Sequence, residues 1–581
     1  MTTRIHLAAV LALGLWACGV DDTRPGSVGV VASALTSTCE TGDAPQGLDR
    51  VKIVVTGLKQ VEDESGNLAW KTRELGDPVS ADIDKSGTGT GGEWSQDVVV
   101  KGVDAGIDRT LTILGYTSGQ DTPTWFGRRR EVSVTQDRTT EVELVLTRFG
   151  RFTCLDAPSA FSQRAFPASV VLGDGRVLLS GGFTGNADIG GGSFELRDPS
   201  ASAFVYDPAN GSIVQVGDMT VARAGHAMVY LPLADGEKVL VFGGATKMTV
   251  KGGSEFPLDV DAAATLDSFE IFDVATLAFL PAGQDYAGKD KKMGRGRVFP
   301  SVGRLSDNSI LITGGGRWPL AASDYTLAEI WAPYADKDAN GENPRGGMLD
   351  VGTGLVLLRQ HNGAAMVKLD ETTQGLSRYL VIGGTTGADA NVEIFKQASK
   401  PEDGVVGAFQ ARSASGLPLL FFPTVTPLKQ DAEGRKRFLV VGGAEYKSAR
   451  LSAPLAKAWI LSVDAQDKVA VEAIDTPCAA RFLHKTIGSF DADGAVVLGG
   501  FTDFGQVANG NACFFDLATK TFSMVPQGQP EFFARAANVA ERLIDDSLLL
   551  AGGLVNVSDL DGTPGLLELY TPPSLKTNLA E

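Results

Sequence analysis

The stretch Arg176 to Gly182, RVLLSGG, is an apolar run closed by two glycines. It returns as KVLVFGG (Lys238 to Gly244), SILITGG (Ser309 to Gly315), RYLVIGG (Arg378 to Gly384), RFLVVGG (Arg437 to Gly443), GAVVLGG (Gly494 to Gly500) and SLLLAGG (Ser547 to Gly553). Successive glycine pairs lie 62, 71, 69, 59, 57 and 53 residues apart. That spacing leaves room for about four short strands and their turns in each repeat. In the second copy the runs are HAMVYL, KVLVFGG, SFEIFD and LAFLPAG, which we letter a to d. They are β-branched and aromatic and are bounded by Gly, Pro, Asp and Asn, the pattern of strands. A glycine closing strand b lets the backbone turn where a side chain would clash. The expectation is an all-β chain whose repeats are the blades of a seven-bladed β-propeller.

The double glycine resembles that of the kelch repeat family. So do the lead-in Arg223-Ala-Gly-His226, repeated as Arg481-Phe-Leu-His484, and the aromatic-Asp steps Tyr206-Asp207 and Phe272-Asp273. The resemblance runs from about Gly150 to Pro573, and the fifth copy, SGLPLLFFPTV, departs from it by lacking the lead-in Arg. It implies a kelch-type propeller over residues 149–575. The segment Arg151 to Asp156 stands where every other repeat has its strand d, whereas the seventh repeat ends after LLELYTP. This N-terminal strand is therefore expected to complete the last blade and remove an open sheet edge.

Ahead of the repeats, residues 1–17 read as a signal peptide, with Arg4 followed by an apolar run from Leu7 to Leu15. Leu15-Trp-Ala-Cys18 resembles a bacterial lipobox, which implies a lipid on Cys18 and, with Gly19 next, an outer-membrane, extracytoplasmic location. Residues 18–46 read as a tether of roughly 30 Å. Residues 47–148 carry alternating runs (VKIVVTGL, TLTILGY, TEVELVL) that predict a small antiparallel β-sandwich, immunoglobulin-like or transthyretin-like, serving as a spacer or as a wall or carbohydrate attachment.

The net charge of −18 excludes nucleic acid as a partner, because phosphate binding needs a basic footprint. Outside the cytoplasm cysteines pair. Cys478, before strand a of the sixth repeat, and Cys513, at the start of its strand c, are expected to pair with each other, leaving Cys39 for Cys154. The copper oxidases resembling galactose oxidase need two His and two Tyr, one of them cysteine-linked, whereas His226, His361 and His484 are spread over three repeats and read as structural. No metal or other cofactor is expected, except that Asp336, Asp338 and Asn340 match half of a calcium loop, whose twelfth position is Gly347 in place of Glu.

A second periodic feature concerns binding. Arg164, Arg223, Arg297, Arg359, Arg481 and Arg535 each precede a strand a, so they are expected around the channel mouth as a ring for an acidic ligand. Trp318, Tyr325, Tyr446 and Phe504, on longer loops, would stack on a sugar or apolar group. Against this stands a scaffold reading, in which Glu270, Glu329, Glu393 and Glu568, at one equivalent place in strand c, pair with the arginines. The functional expectation is a monomeric, lipid-anchored binding or scaffold protein whose loop face takes a glycan or protein ligand. The alternative is a carbohydrate-active enzyme of epimerase or lyase type.

Overall fold

The computed structural model describes residues 25–573 apart from residues 35–47, 63–67, 83–97, 156, 159–160, 162, 252–257, 281–291, 317–327, 334–346, 350–360, 385–390, 399–405, 448–449, 490, 504–509, 526–533, 559 and 561–566. Its first part carries strands β1 (Gly26–Ala34), β2 (Leu48–Glu62), β3 (Leu68–Glu74), β4 (Val79–Asp82), β5 (Val98–Val103), β6 (Gly106–Thr117), β7 (Trp125–Val134), β8 (Thr139–Arg148) and β9 (Phe152–Leu155).

β1 to β8 follow one hydrogen-bonded path, β3-β2-β6-β7-β8-β1-β5, with β4 on β2. The path curls until β5 meets β2 and β4. It encloses Val51, Ile53, Val55, Val100, Leu111, Ile113, Val142 and Leu144. This is a half-open barrel and not the expected two-layer sandwich. The difference comes from β1, which runs parallel to β8 and antiparallel to β5 and so joins the two layers. Gly26–Ala34 had been expected inside the tether; instead Val28, Val30 and Ala32 alternate inward and are buried. Strand periodicity in a Gly- and Ser-rich stretch is easily read as linker.

From Ala168 onward seven four-stranded antiparallel sheets follow among the described residues, each with its strands side by side in the order a, b, c, d. In the second they are Ala227–Leu233, Gly236–Phe242, Phe269–Asp273 and Ala278–Phe279. The seventh takes β9 as its fourth strand, with Leu567 opposite Leu155 and Tyr570 opposite Phe152. That is the closure expected of residues 151–156. Each strand a neighbours the next around a complete circuit, the first meeting the seventh. The arrangement is propeller-like, and apolar layers such as Val177, Leu179, Phe204, Leu549 and Leu567 fill the space between adjacent sheets.

The glycine pairs are the latches of this circuit. The second glycine of one sheet donates its N–H to a lead-in carbonyl of the next: Gly182 to Arg223 at 2.9 Å, Gly244 to Arg297 at 2.7 Å, Gly443 to Arg481 at 3.0 Å and Gly500 to Arg535 at 2.9 Å. Gly553 to Arg164 at 2.8 Å closes it from the seventh sheet to the first. The first glycine lies so close to the neighbouring backbone that a Cβ on Gly243 would stand 2.2 Å from the Arg297 oxygen. An apolar run could form strand b with many closing residues; only glycine lets the next sheet come this near.

Two further sheets rise from the same face. Phe183–Gly190, Ser193–Pro199, Met248–Lys251 and Leu258–Asp259 form one; Leu420–Phe421, Ala444–Lys447 and Arg450–Pro454 form the other. All of these strands belong to b-to-c or d-to-a connections. This side is the loop face.

Candidate functional site

The lead-in arginines are inside the protein. Arg164, Arg223, Arg297, Arg481 and Arg535 are all buried, and each donates from Nη1 to the first glycine carbonyl of its own sheet. The acceptors are Gly181 at 3.0 Å, Gly243 at 2.6 Å, Gly314 at 2.6 Å, Gly499 at 3.1 Å and Gly552 at 3.1 Å. The arginine and glycine repeats are thus two halves of one contact.

The third partner sits in strand c, across from the residue two before the first glycine. The facing pairs are Leu179 and Phe204, Val241 and Glu270, Ile312 and Glu329, Val381 and Glu393, Val440 and Trp459, Val497 and Cys513, and Leu550 and Glu568. Where this residue is Glu, it takes the cation: Arg223 to Glu270 at 2.6 Å, Arg297 to Glu329 at 2.7 Å and Arg535 to Glu568 at 2.5 Å. In the fourth sheet His361 bonds to Glu393. Glycine register explains why: Gly363 is the counterpart of Gly225, which puts His361 and not Arg359 at the lead-in position, and Arg359 itself lies outside the described residues.

The exceptions use other chemistry. In the first sheet Phe204 replaces the acid, and the Arg164 guanidinium lies over the Phe161 and Phe204 rings, 4.8 and 5.1 Å from their centroids. In the sixth, Cys513 replaces it and forms the expected disulfide with Cys478, the Cα atoms 6.1 Å apart. Cys154 is also disulfide-bonded; its expected partner Cys39 lies outside the described residues. Burial lowers Arg164 and Arg481, whose strand-c positions carry Phe204 and Cys513, to about 10. Burial also lowers Arg223, with Glu270 opposing it.

This pattern makes a testable exchange. Cys478→Ala with Cys513→Ala opens a loop of 35 positions and is expected to cost about 3–4 kcal/mol in the chain-entropy model. Cys478→Ala with Cys513→Glu places a carboxylate beside Arg481 as in the second, third and seventh sheets. The Glu variant is expected to have the higher urea midpoint, and equal midpoints would refute the equivalence.

The mouth of the channel on the loop face is closed. At the start of each strand a one residue adopts a left-handed backbone: Phe166, Gly225, Phe299, Gly363, Phe422, Leu483 and Ala537, with φ between 51° and 64°. Strain of about 1–2 kcal/mol at a non-glycine residue is offset by bonds that run round the ring. The donors and acceptors are Phe166 to Ala537 (2.8 Å), Gly225 to Phe166 (2.9 Å), Phe299 to Gly225 (2.7 Å) and Phe422 to Gly363 (2.6 Å). Phe166 of the first sheet meets Phe299 of the third, and Phe299 meets Phe422 of the fifth, with centroids 5.0 and 5.5 Å apart. These sheets are not neighbours, so the rings touch across the axis. Gly225, in the second sheet, leaves space for Phe299, and Gly363, in the fourth, for the neighbouring Phe421. The expected open ring of arginines is replaced by an aromatic stopper above buried arginines.

What faces outward on this side is an apolar floor with walls. Phe299, Phe422 and Leu483 are half-buried and pack on one cluster with Phe194 and Tyr446 of the two extra sheets. Tyr446 is therefore at the candidate site, and burial raises its hydroxyl pKa. Trp318, Tyr325, Phe504, Asp336, Asp338 and Asn340 lie outside the described residues, as does Cys18.

Two other polar groups escaped the sequence reading. Lys485 and Glu541, on strands a of the sixth and seventh sheets, are lowered and raised respectively by burial, and Glu541 accepts from Ser169 at 2.6 Å. On the face opposite the loops, Asp546 takes Arg128 at 2.8 Å and Arg130 at 2.5 Å, fixing the barrel to the seventh sheet. A cleft of about 450 Å³ beside it is lined by Thr110, Arg130, Glu131, Gly173, Arg542 and Ile544.

No family model matches the sequence, and no curated protein matches it. Among solved structures it is similar to a fungal alcohol oxidase of the AA5 family in complex with copper. The TM-score is 0.50 with 14% sequence identity, covering 74% of this chain and 77% of that one. At this identity the likeness shows the fold alone, an all-β, propeller-like architecture. Among the described residues the histidines do not gather as a copper centre would need. His226, His361 and His484 occupy three different sheets and are engaged by Ser180, Glu393 and Thr424. Among the described residues no three His, Cys, Asp or Glu side chains converge.

Proposed function

We propose that this chain is a kelch-type, seven-bladed propeller lipoprotein, anchored through Cys18 at the outer membrane, that acts as a monomeric binding or scaffold protein for a glycan or protein ligand on its loop face. The observation that carries the binding role is the pair of extra sheets raised around an aromatic floor on that face. Recognition usually sits on connections held by a rigid scaffold, and rigid aromatic surface suits a sugar face or an apolar side chain. The periodic polar residues serve the scaffold, so selectivity is assigned to the connections.

The test is a glycan array together with a pull-down from the native cell surface. Tyr446→Ala is expected to weaken the captured ligand about tenfold, the loss of one stacking contact of roughly 1.4 kcal/mol, with the melting temperature little changed. Turnover of a captured sugar would replace this reading by an enzymatic one. Cys18→Ser is expected to move the protein from the detergent phase to the aqueous phase; unchanged partitioning would refute the anchor.

A further inference from the structure

One end of the half-open barrel gathers the start of β1, the ends of β5 and β7 and the starts of β6 and β8. There Gly26 pairs with Val103 and Gly106 with Val134, while Ser27 donates to the Arg138 carbonyl at 2.9 Å. The chain departs for the seven sheets from the opposite end, where Trp125 pairs with Arg148. At the β1 end stand the two most exposed large apolar side chains among the described residues, Ile107 at 68% and Leu58 at 59%. They lie on adjoining strands: Thr56 pairs with Thr110, and a Cβ on Gly57 would stand 3.0 Å from the Arg109 side chain. The β5–β6 turn is closed on itself, with Arg109 donating to the Asp104 and Ala105 carbonyls at 3.0 and 2.6 Å.

We propose that this end of the barrel rests on a lipid surface, with Ile107 and Leu58 seated at the boundary between headgroups and acyl chains. The inference rests on the anchoring at Cys18. Seven residues, Gly19 to Pro25, then join the lipid to β1, and their full extension is about 25 Å. Single exposed apolar residues are ordinary on a protein surface; these two stand where the anchored chain reaches the barrel. Seating by apolar side chains does not depend on a basic patch, in keeping with a net charge of −18. The hydrogen bonds within the β5–β6 turn reduce the cost of bringing its backbone to a dry boundary.

The experiment uses the full lipidated chain in vesicles of phosphatidylethanolamine and phosphatidylglycerol doped with spin-labelled lipid. An environment-sensitive fluorophore is placed at Ile107→Cys, at Leu58→Cys, or at Ile189→Cys on the loop face, which is 53% exposed. Labels at 107 and 58 are expected to shift to the blue and to lose intensity to the spin label, and the label at 189 to do neither. Should Cys18 carry its lipid by mass while labels at 107 and 58 keep the aqueous spectrum seen at 189, the contact is overturned and the anchor stands. A mass without lipid on Cys18 overturns the anchor and the contact with it.

Discussion

Replacing Arg223 by methionine is expected to lower stability by about 3–5 kcal/mol, the usual cost of removing one partner of a buried ion pair. Glu270 would remain almost wholly buried, still held by the Thr220 and Val221 amides at 2.6 and 3.0 Å but without its cation. The Gly243 carbonyl would lose its donor as well. Arg164→Met is the informative control. It also takes a donor from a glycine carbonyl, Gly181, but the residue at its strand-c position is Phe204 in place of Glu. A buried carbonyl left unpaired costs about 1–3 kcal/mol, so Arg164→Met should be the milder change by about 2 kcal/mol. Urea unfolding of the two variants decides it, and equal losses would show that the arginines act through the glycine carbonyls alone. Adding Glu270→Met to Arg223→Met should recover part of the loss, since an apolar pair avoids the stranded charge.

The parts of this architecture that repeat were legible, and the parts that depend on one backbone angle were not. The glycine pairs, the strands around them and the pairing of Phe152–Leu155 with the seventh sheet follow from period and chain order alone. The Arg-to-Glu scaffold was one of two open readings, and the register of strand c decides for it. Matching by residue type gave the wrong lead-in residue in the fourth repeat. Arg359 looks like its counterparts, but the left-handed Gly363 fixes the frame, and His361 makes the contact with Glu393. The aromatic stopper had no sequence signal, because a left-handed backbone at Phe166, Phe299 and Phe422 is contrary to what a bulky residue prefers. It exists because seven lead-ins meet at one axis and must exchange backbone bonds. Likewise β1 was hidden by Gly29, Ser27 and Ser33, whose composition suggests a linker although the intervening Val28, Val30 and Ala32 are core.

Gly243→Ala is expected to be strongly damaging, and Gly191→Ala shows why by contrast. The two glycines have nearly the same backbone, φ 66° and 65°. The left-handed strain of an alanine, about 1–2 kcal/mol, is therefore common to both. Around Gly191, at a hairpin tip on the loop face, nothing lies within 4 Å of an added Cβ. Around Gly243 the Arg297 carbonyl oxygen lies 2.2 Å away and its carbon 3.2 Å away, both main-chain atoms that a rotamer change cannot clear. Relief requires the second and third sheets to part, which stretches the Gly244 to Arg297 bond of 2.7 Å and the Arg297 to Leu266 bond of 3.0 Å together. Two buried hydrogen bonds, each costing about 1–3 kcal/mol when left unmade, come on top of the strain. The difference between the variants is thus expected to reach about 3 kcal/mol or more, read as a large fall in urea midpoint for Gly243→Ala and a small one for Gly191→Ala. Similar losses at both sites would mean that the glycine pairs are selected for backbone angle only, and that the close approach of neighbouring sheets is not what the repeat encodes.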